Sequence, residues 1–327
     1  MIWRGAPIDK LSNELFNLFN LRYLSLRGTL VNELPKSIKK LINLQSLDIR
    51  DTQIEVIPRE IGNLHNLHHL IAHHFTKKWT DFKFVIGART PSNIYKLKNL
   101  QSVTFIEAKG DLIRRIGSMT QLIRIGISDV KEADEMDLCL SIQNMRLLHF
   151  LSIKVTNVEE TLRMDALSSP PPNLQKLVLV GKLEKVPLWF CSLQRITNLH
   201  LHWSRLDEDL LPYIATWPHL GRLTLTNACV GNQLCFSTGF VKLTVLNIRN
   251  LPQLNEIIIE KGVMPNMKSL EIESCMELKT VPKGTEYLKT LQELFLKSAS
   301  KELKNCIKEE GSVNFPKVEH IPKIYLE

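Results

Sequence analysis

Residues 24–46 read LSLRGTLVNELPKSIKKLINLQS and residues 47–69 read LDIRDTQIEVIPREIGNLHNLHH, and the two align without a gap. Leu24 and Leu26 fall on Leu47 and Ile49, Leu34-Pro35 on Ile57-Pro58, Ile38 on Ile61 and Leu41 on Leu64. From this pair a triplet, Leu-x-x-Leu-x-Leu, extends along the whole chain. It stands at Leu21-Leu24-Leu26, Leu44-Leu47-Ile49, Leu100-Val103-Phe105, Leu122-Ile125-Ile127, Leu148-Leu151-Ile153 and Leu174-Leu177-Leu179. It continues at Ile196-Leu199-Leu201, Leu220-Leu223-Leu225, Leu243-Leu246-Ile248, Met267-Leu270-Ile272 and Leu291-Leu294-Leu296, with a weaker copy at Leu67-Leu70-Ala72. Apolar residues two apart mark a short strand with one buried face, so Leu24 and Leu26 point inward while Ser25 and Arg27 point outward. One such unit cannot cover its own apolar face, and neighbours must stack.

A period near 23 residues is that of a leucine-rich repeat. The fold class is therefore α/β: a horseshoe solenoid with a parallel sheet on its concave side and irregular or short helical segments on its convex side. Prolines remove a backbone donor and suit turns on that convex side; the Val-Pro step returns at Val186-Pro187 and Val281-Pro282. Residues 24–297 are expected to form one sheet of about eleven or twelve short strands, within a single solenoid over 1–327 of about twelve repeats. Met1-Ile2-Trp3-Arg4-Gly5 lies 23 residues before Leu24-Ser25-Leu26-Arg27-Gly28, so the first repeat is incomplete. A bare apolar end of roughly 400 Å² forgoes about 10 kcal/mol of burial, comparable to the stability of a whole domain. The expectation is a C-terminal portion of a longer protein.

Composition narrows the class. No run of 18 apolar residues offers a membrane span, and MIWRGAPIDKL lacks the apolar stretch of a signal peptide. None of the 21 asparagines sits in an Asn-x-Ser/Thr sequon, which disfavours a secreted repeat protein. Six cysteines show no paired metal spacing and read as reduced, mostly buried thiols. These signs point to the cytoplasm, with the inner face of the plasma membrane reached only through partners.

Repeat starts are spaced unevenly, and the longest gap holds residues 73–99. That stretch carries Lys77, Lys78, Lys83, Arg89, Lys96 and Lys98 against Asp81 alone, a local +5 in a chain of net +8. Insertions in repeat proteins become loops on one face, often the binding face, so Lys77, Lys78, Trp79, Lys83 and Arg89 form a candidate binding loop. Projection of the strand positions places Arg22, Arg27, Arg50, Arg124, Arg222 and Arg249 on the concave face, together with His68, His69, His73, His200 and His202. Such a surface steers an acidic partner toward it. The plainer reading, that exposed strand positions are simply polar, accounts for part of this pattern.

Sharper chemistry is absent from the sequence. His65, His68, His69, His73 and His74 cluster, but His68 and His69 are neighbours on a strand and do not share a helical face, so no metal is expected. No Gly-x-x-x-x-Gly-Lys-Ser/Thr loop occurs, and no nucleophile elbow or carboxylate pair stands out; neither a cofactor, a small-molecule substrate nor an enzymatic role is expected. A pI near 9.1 without interleaved aromatics makes nucleic acid an unpromising partner. Two binding classes stay open on the residues alone: an intracellular signalling scaffold, which would favour even 23-residue repeats, and a charge-driven nucleic-acid binder.

The stretches NLRYLSLRGTLVNELPKSIKKLINLQSLDIRDTQIEVIP, MTQLIRIGISDV, LQKLVLVGKLEKVPLWF, EIESCMELKTVPKG and GSVNFPKVEHIP resemble the C-terminal repeats of plant disease-resistance proteins of the coiled-coil, nucleotide-binding, leucine-rich-repeat class. The resemblance implies that this region restrains the receptor's nucleotide-binding module and recognises a pathogen effector or a guarded host protein. The coiled coil and nucleotide-binding module are missing from these residues, so the ADP or ATP that the resemblance implies is expected only there.

Overall fold

The computed structural model describes residues 1–76, 81–108, 110–308 and 315–327, which form two compact units, 1–174 and 175–327. In the first, β1 (Tyr23–Ser25), β2 (Ser46–Asp48) and β3 (His69–Ile71) lead to a hairpin of β4 (His73–Phe75) and β5 (Val85–Gly87), then β6 (Ser102–Glu107), β7 (Arg124–Val130) and β8 (Phe150–Val155). Except for β4 and β5, these strands are parallel, and Leu24, Leu47 and Leu70 pair at the expected 23-residue steps. Residues 1–5 run beside β1 in the same register, with Ile2 bridged to Ser25. In the second unit β9 (Lys176–Val180), β10 (Asn198–His202) and β11 (Arg222–Thr226) are followed by β12 (Gln233–Phe236), β13 (Val245–Arg249) and β14 (Glu256–Ile259). It closes with β15 (Ser269–Glu273), β16 (Glu293–Lys297) and β17 (Lys323–Leu326).

Every triplet thus supplies a parallel strand, and every triplet residue except the half-buried Leu21 is in the core. The return segments are short because a 23-residue period leaves little chain after the strand and its turn. Those at Lys36–Lys40 and Arg59–Asn63 are 3₁₀ turns started by Pro35 and Pro58, whose φ of −70° and −68° suits an N-cap. In several coils an asparagine just ahead of the triplet ties the coil to the one before. Asn43 Nδ2 donates to the Phe19 carbonyl at 3.0 Å, Asn66 to Ile42 at 3.0 Å, Asn99 to His65 at 2.9 Å and Asn266 to Val241 at 2.8 Å.

Two residues beyond the second inward position the chain turns through positive φ: Gly28, Asp51, Asp129, Gly181, Trp203, Asn227, Asn250, Ser274 and Ser298 all do so. Most L-residues are strained by about 1–2 kcal/mol there, whereas Gly, Asn and Asp tolerate it. Ser274 (φ 55°) has no such tolerance. Ser274→Gly is expected to raise stability by about 0.5–1 kcal/mol, and Ser274→Ile to lower it by more than about 1 kcal/mol. Urea denaturation of the two variants checks this; equal midpoints would show the turn to be unstrained.

Four expectations are corrected. In the third coil His74 occupies the turn position, no left-handed residue stops the strand, and the chain runs on into β4 and back through β5. The described part of 73–99 is therefore folded rather than an open loop: Phe84, Val85 and Ala88 are buried, and Lys154 Nζ donates to the Val85 carbonyl at 3.0 Å. In the fourth coil the register shifts between Val103 and Ile106, so Ile106 pairs with Ile127 while Phe105, at φ 57°, leaves the inward row. It packs beneath the hairpin; a Cβ on Gly87 would stand 2.6 Å from that of Phe105, so only glycine fits. In the second unit β12 and β14 form a two-stranded parallel sheet where irregular or helical return segments were expected. Finally, β17 adds a parallel strand beyond residue 297, pairing Leu294 with Ile324 and Leu296 with Leu326.

Candidate partner-binding face

Three rows of side chains cross the open face of each sheet. In the first unit the leading row is Tyr23, Ser46, His69, Ser102, Arg124 and Phe150. His69 and Arg124 stand exposed in it, the Arg124 guanidinium 4.9 Å over the Phe150 ring. Arg22 and His68 lie one residue ahead of this row, and Arg27 and Arg50 beyond the strands, so the three arginines do not share one line.

Arg50 is engaged within its own coil. It grips Asp48 with Nε to Oδ1 at 2.9 Å and Nη2 to Oδ2 at 2.7 Å, while the Arg50 N–H reaches Oδ1 at 3.1 Å. Burial raises the Asp48 carboxyl's pKa, but those hydrogen bonds and the cationic neighbours outweigh it and hold the group below its ordinary value. Arg27 pairs with Asp51 at 3.4 Å across a more exposed gap. His73 is half-buried, its Nδ1 2.9 Å from Thr104 Oγ1 and its ring edge-on to Phe105. Burial, then the Arg50 charge, lowers its pKa to about 4, so it is neutral at physiological pH. Of the proposed loop, Lys83 is exposed, and Arg89 is tied by its backbone to Glu55 and Ile57 and by its side chain to Glu55 at 3.8 Å. Lys77, Lys78 and Trp79 lie outside the described residues.

In the second unit Lys176, Asn198 and Arg222 align in the leading row, His200 and Thr224 in the middle row, and His202, Thr226 and Arg249 in the last. The His200 and His202 rings are parallel, 6.2 Å apart at an interplanar angle of 4°. Burial is the first cause of their low pKa values, about 2 and about 3, and the Lys176 and Arg249 charges add to it. Both histidines are neutral, so the cationic character here belongs to Lys176 and Arg222. Arg249 ends it: its guanidinium is 2.6 Å from Glu271 and 3.3 Å from Glu273, and Lys297 joins Glu271 at 3.5 Å. Further on, Phe295 and Tyr325 stack at 4.5 Å and 5°, with the Lys297 ammonium 5.3 Å from the Phe295 ring centre.

The arrangement suits recognition by charge and shape. Cys139, Cys229 and Cys275 are held as thiols by burial, which raises their pKa to about 12, 12 and 11. Among the described residues no three His, Cys, Asp or Glu side chains gather as a metal cage requires, and no helix is long and apolar enough to cross a membrane. The sequence missed the Asp48–Arg50 clamp, although an acid two residues before an arginine on one strand face is its visible signal. It also missed the Phe295–Tyr325 stack, because Tyr325 lies in the unexpected last strand.

Comparison with known proteins adds the family. A model of the leucine-rich repeat region matches residues 9–314. The disease resistance protein RPM1 of Arabidopsis thaliana is 39% identical over 245 residues, covering 75% of this chain and 26% of that protein. A probable disease resistance RPP8-like protein 4 of the same plant is 26% identical over 242 residues, with 72% and 26% covered. The chain thus spans about a quarter of the length of these relatives. Among solved structures, an internalin from Listeria monocytogenes superposes with a TM-score of 0.51 at 14% identity, covering 100% of this chain and 86% of that one. The ectodomain of the Arabidopsis thaliana receptor kinase GASSHO1/SCHENGEN3 gives 0.53 at 18% identity, covering 97% and 45%. At those identities the superpositions speak for the fold alone. The chain belongs to the leucine-rich repeat regions, and its sequence relatives are plant disease-resistance proteins.

Proposed function

We propose that this chain is the recognition and restraint region of an intracellular plant immune receptor, acting in the cytoplasm. Its non-catalytic role is to bind a pathogen effector or a guarded host protein and to hold the receptor's own nucleotide-binding module at rest; nucleotide chemistry belongs to that module. The observation that carries the reading is the relation to plant resistance proteins joined to open sheet faces in both units that present basic side chains. Arg22 and Arg124 serve the first face, and Lys176 and Arg222 the second. An acidic surface on a partner fits either.

The internal clamps decide how to test this. Arg50→Glu would set a second carboxylate against buried Asp48, and Arg249→Glu a third beside Glu271 and Glu273; both would damage the fold itself. The exposed pair is informative. In a full-length receptor, Arg22→Glu with Arg124→Glu is expected to trigger cell death without any pathogen. Close interfacial charge pairs couple by about 1.5–7 kcal/mol, enough to overturn a resting state favoured by a few kcal/mol. Lys176→Glu with Arg222→Glu is expected to abolish recognition and leave the receptor quiet. Normal restraint in the first pair and normal recognition in the second, at normal protein levels, would refute the reading.

A further inference from the structure

The first unit carries a second concave surface, separate from the open sheet face and opposite in charge. Beyond the strands its coils stack through backbone bonds: Leu30 N–H to the Ile8 carbonyl at 2.9 Å, Gln53 to Val31 at 3.0 Å, Arg89 to Glu55 at 2.7 Å and Ile57 to Arg89 at 2.9 Å. The β4–β5 hairpin closes one end as a wall. Between wall and coils runs a groove of about 1380 Å³, larger than the roughly 300–1,000 Å³ that a small ligand fills. Val56 and Ile86 offer it apolar side chains that are 49% and 40% exposed, above the buried Ile54. Nothing in the core needs those two exposed; alternation would place charged residues there at no cost.

The rim of the groove is acidic. Asp9, Glu33 and Glu55 come from three successive coils and Glu107 from a later one, against Lys10 and Arg89, of which Arg89 lies 3.8 Å from the largely exposed Glu55. That is a local excess of carboxylates in a chain of net +8. We infer that this groove binds an extended, basic peptide segment of a partner protein, with lysines or arginines alternating with apolar residues. The geometry fits that occupant. Successive coils stand about 5 Å apart, and alternate residues of an extended strand about 7 Å apart, a mismatch that long Lys and Arg stems absorb. Basic residues would face the carboxylates while the intervening apolar ones cover Val56 and Ile86. A nucleic acid is repelled by the same rim. This inference does not depend on the proposed immune role, because it uses neither open sheet face.

Fluorescence anisotropy with the whole chain tests it, using a short labelled peptide in which lysine alternates with valine and threonine. The expected result is saturable binding that weakens as salt rises. A matching peptide with glutamate for lysine is expected not to displace the lysine peptide, and one with glycine for valine to bind severalfold more weakly. Glu33→Lys with Glu55→Lys is expected to weaken binding at least about tenfold, since two attractions become repulsions. The Glu55 side chain is 86% exposed, so the fold should survive, and circular dichroism confirms it. Val56→Ser with Ile86→Ser is expected to weaken binding without altering its salt dependence. Lys261→Glu, at an exposed position of the other unit, is expected to leave the peptide's affinity unchanged. Absence of binding by the lysine peptide, equal binding by the glycine peptide, or unchanged binding in the Glu33→Lys, Glu55→Lys variant would each overturn the inference.

Discussion

Leu47→Asp is expected to unfold the N-terminal coils, while Ser46→Asp one residue earlier leaves them folded. Leu47 has no exposed surface and sits between Leu24 and Leu70 in the inward column. Removing a buried leucine side chain alone costs about 2–5 kcal/mol. A carboxylate in its place finds neither water nor a cation, and its burial or its protonation costs several kcal/mol more. The total matches the stability of a whole domain, about 5–15 kcal/mol. Ser46 points to the open face and is half-exposed, so a charge there stays hydrated. Because each coil is held chiefly by its neighbours, the damage should be local at first, with amides of residues 21–76 losing hydrogen-exchange protection before those near β8. Equal loss of protection in both variants would refute the assigned register.

Acid is expected to destabilise the second unit well above the pH at which its carboxylates protonate. His202 is 5% exposed and its pKa in the fold is about 3, whereas an unfolded histidine titrates near 6.5. Between those values the unfolded chain binds a proton that the folded chain refuses, so stability is full above about pH 6.5 and falls as pH drops below it. At about 1.4 kcal/mol per pH unit, His202 alone removes about 2 kcal/mol by pH 5, and His200 acts in the same direction. Val180 and Thr226 flank His202 in its row, so threonine suits the position. In His202→Thr with His200→Thr the thermal midpoint should vary much less between pH 7 and pH 5 than in the parent. An unchanged slope would show that these imidazoles titrate freely in the fold.

Strand positions, the parallel register and the buried column were legible in the sequence because stacking makes one period govern all three. What failed were places where a single residue departs from it. Ile321-Ile324-Leu326 repeats the triplet, yet the 30-residue interval after Leu291 hides it from a search for a 23-residue step. His74, where six of the nine left-handed turns carry Gly, Asp or Asn, was the local sign that the strand would run on into a hairpin. Phe105 looks inward by spacing, but its left-handed backbone rotates it out and Ile106 in. The charged face was legible only in part. Asp48, Glu271 and Glu273 are also readable as concave-face acids, but face positions alone do not say that the fold brings them and Asp51 within ion-pair distance of Arg50, Arg249 and Arg27. Arg27–Asp51, Arg249–Glu271 and Arg249–Glu273 cross between coils and depend on register, which a tally along one strand does not contain; Asp48–Arg50, two residues apart, was legible locally.

The asparagine bridges reach only one coil back, and the Leu24–Leu47–Leu70 column advances by a constant 23 residues. Excising residues 47–69 would join Ser46 to Leu70 and place Leu70 where Leu47 had been, with Asn43 still bonded to Phe19. Every junction in the shortened chain would be of a kind already present in the longer one. Unequal recombination between neighbouring coils can therefore add or remove a whole unit in one event without exposing a hydrophobic seam. The length of the recognition surface becomes a quantity that evolution can change in discrete steps, independently of which side chains decorate it.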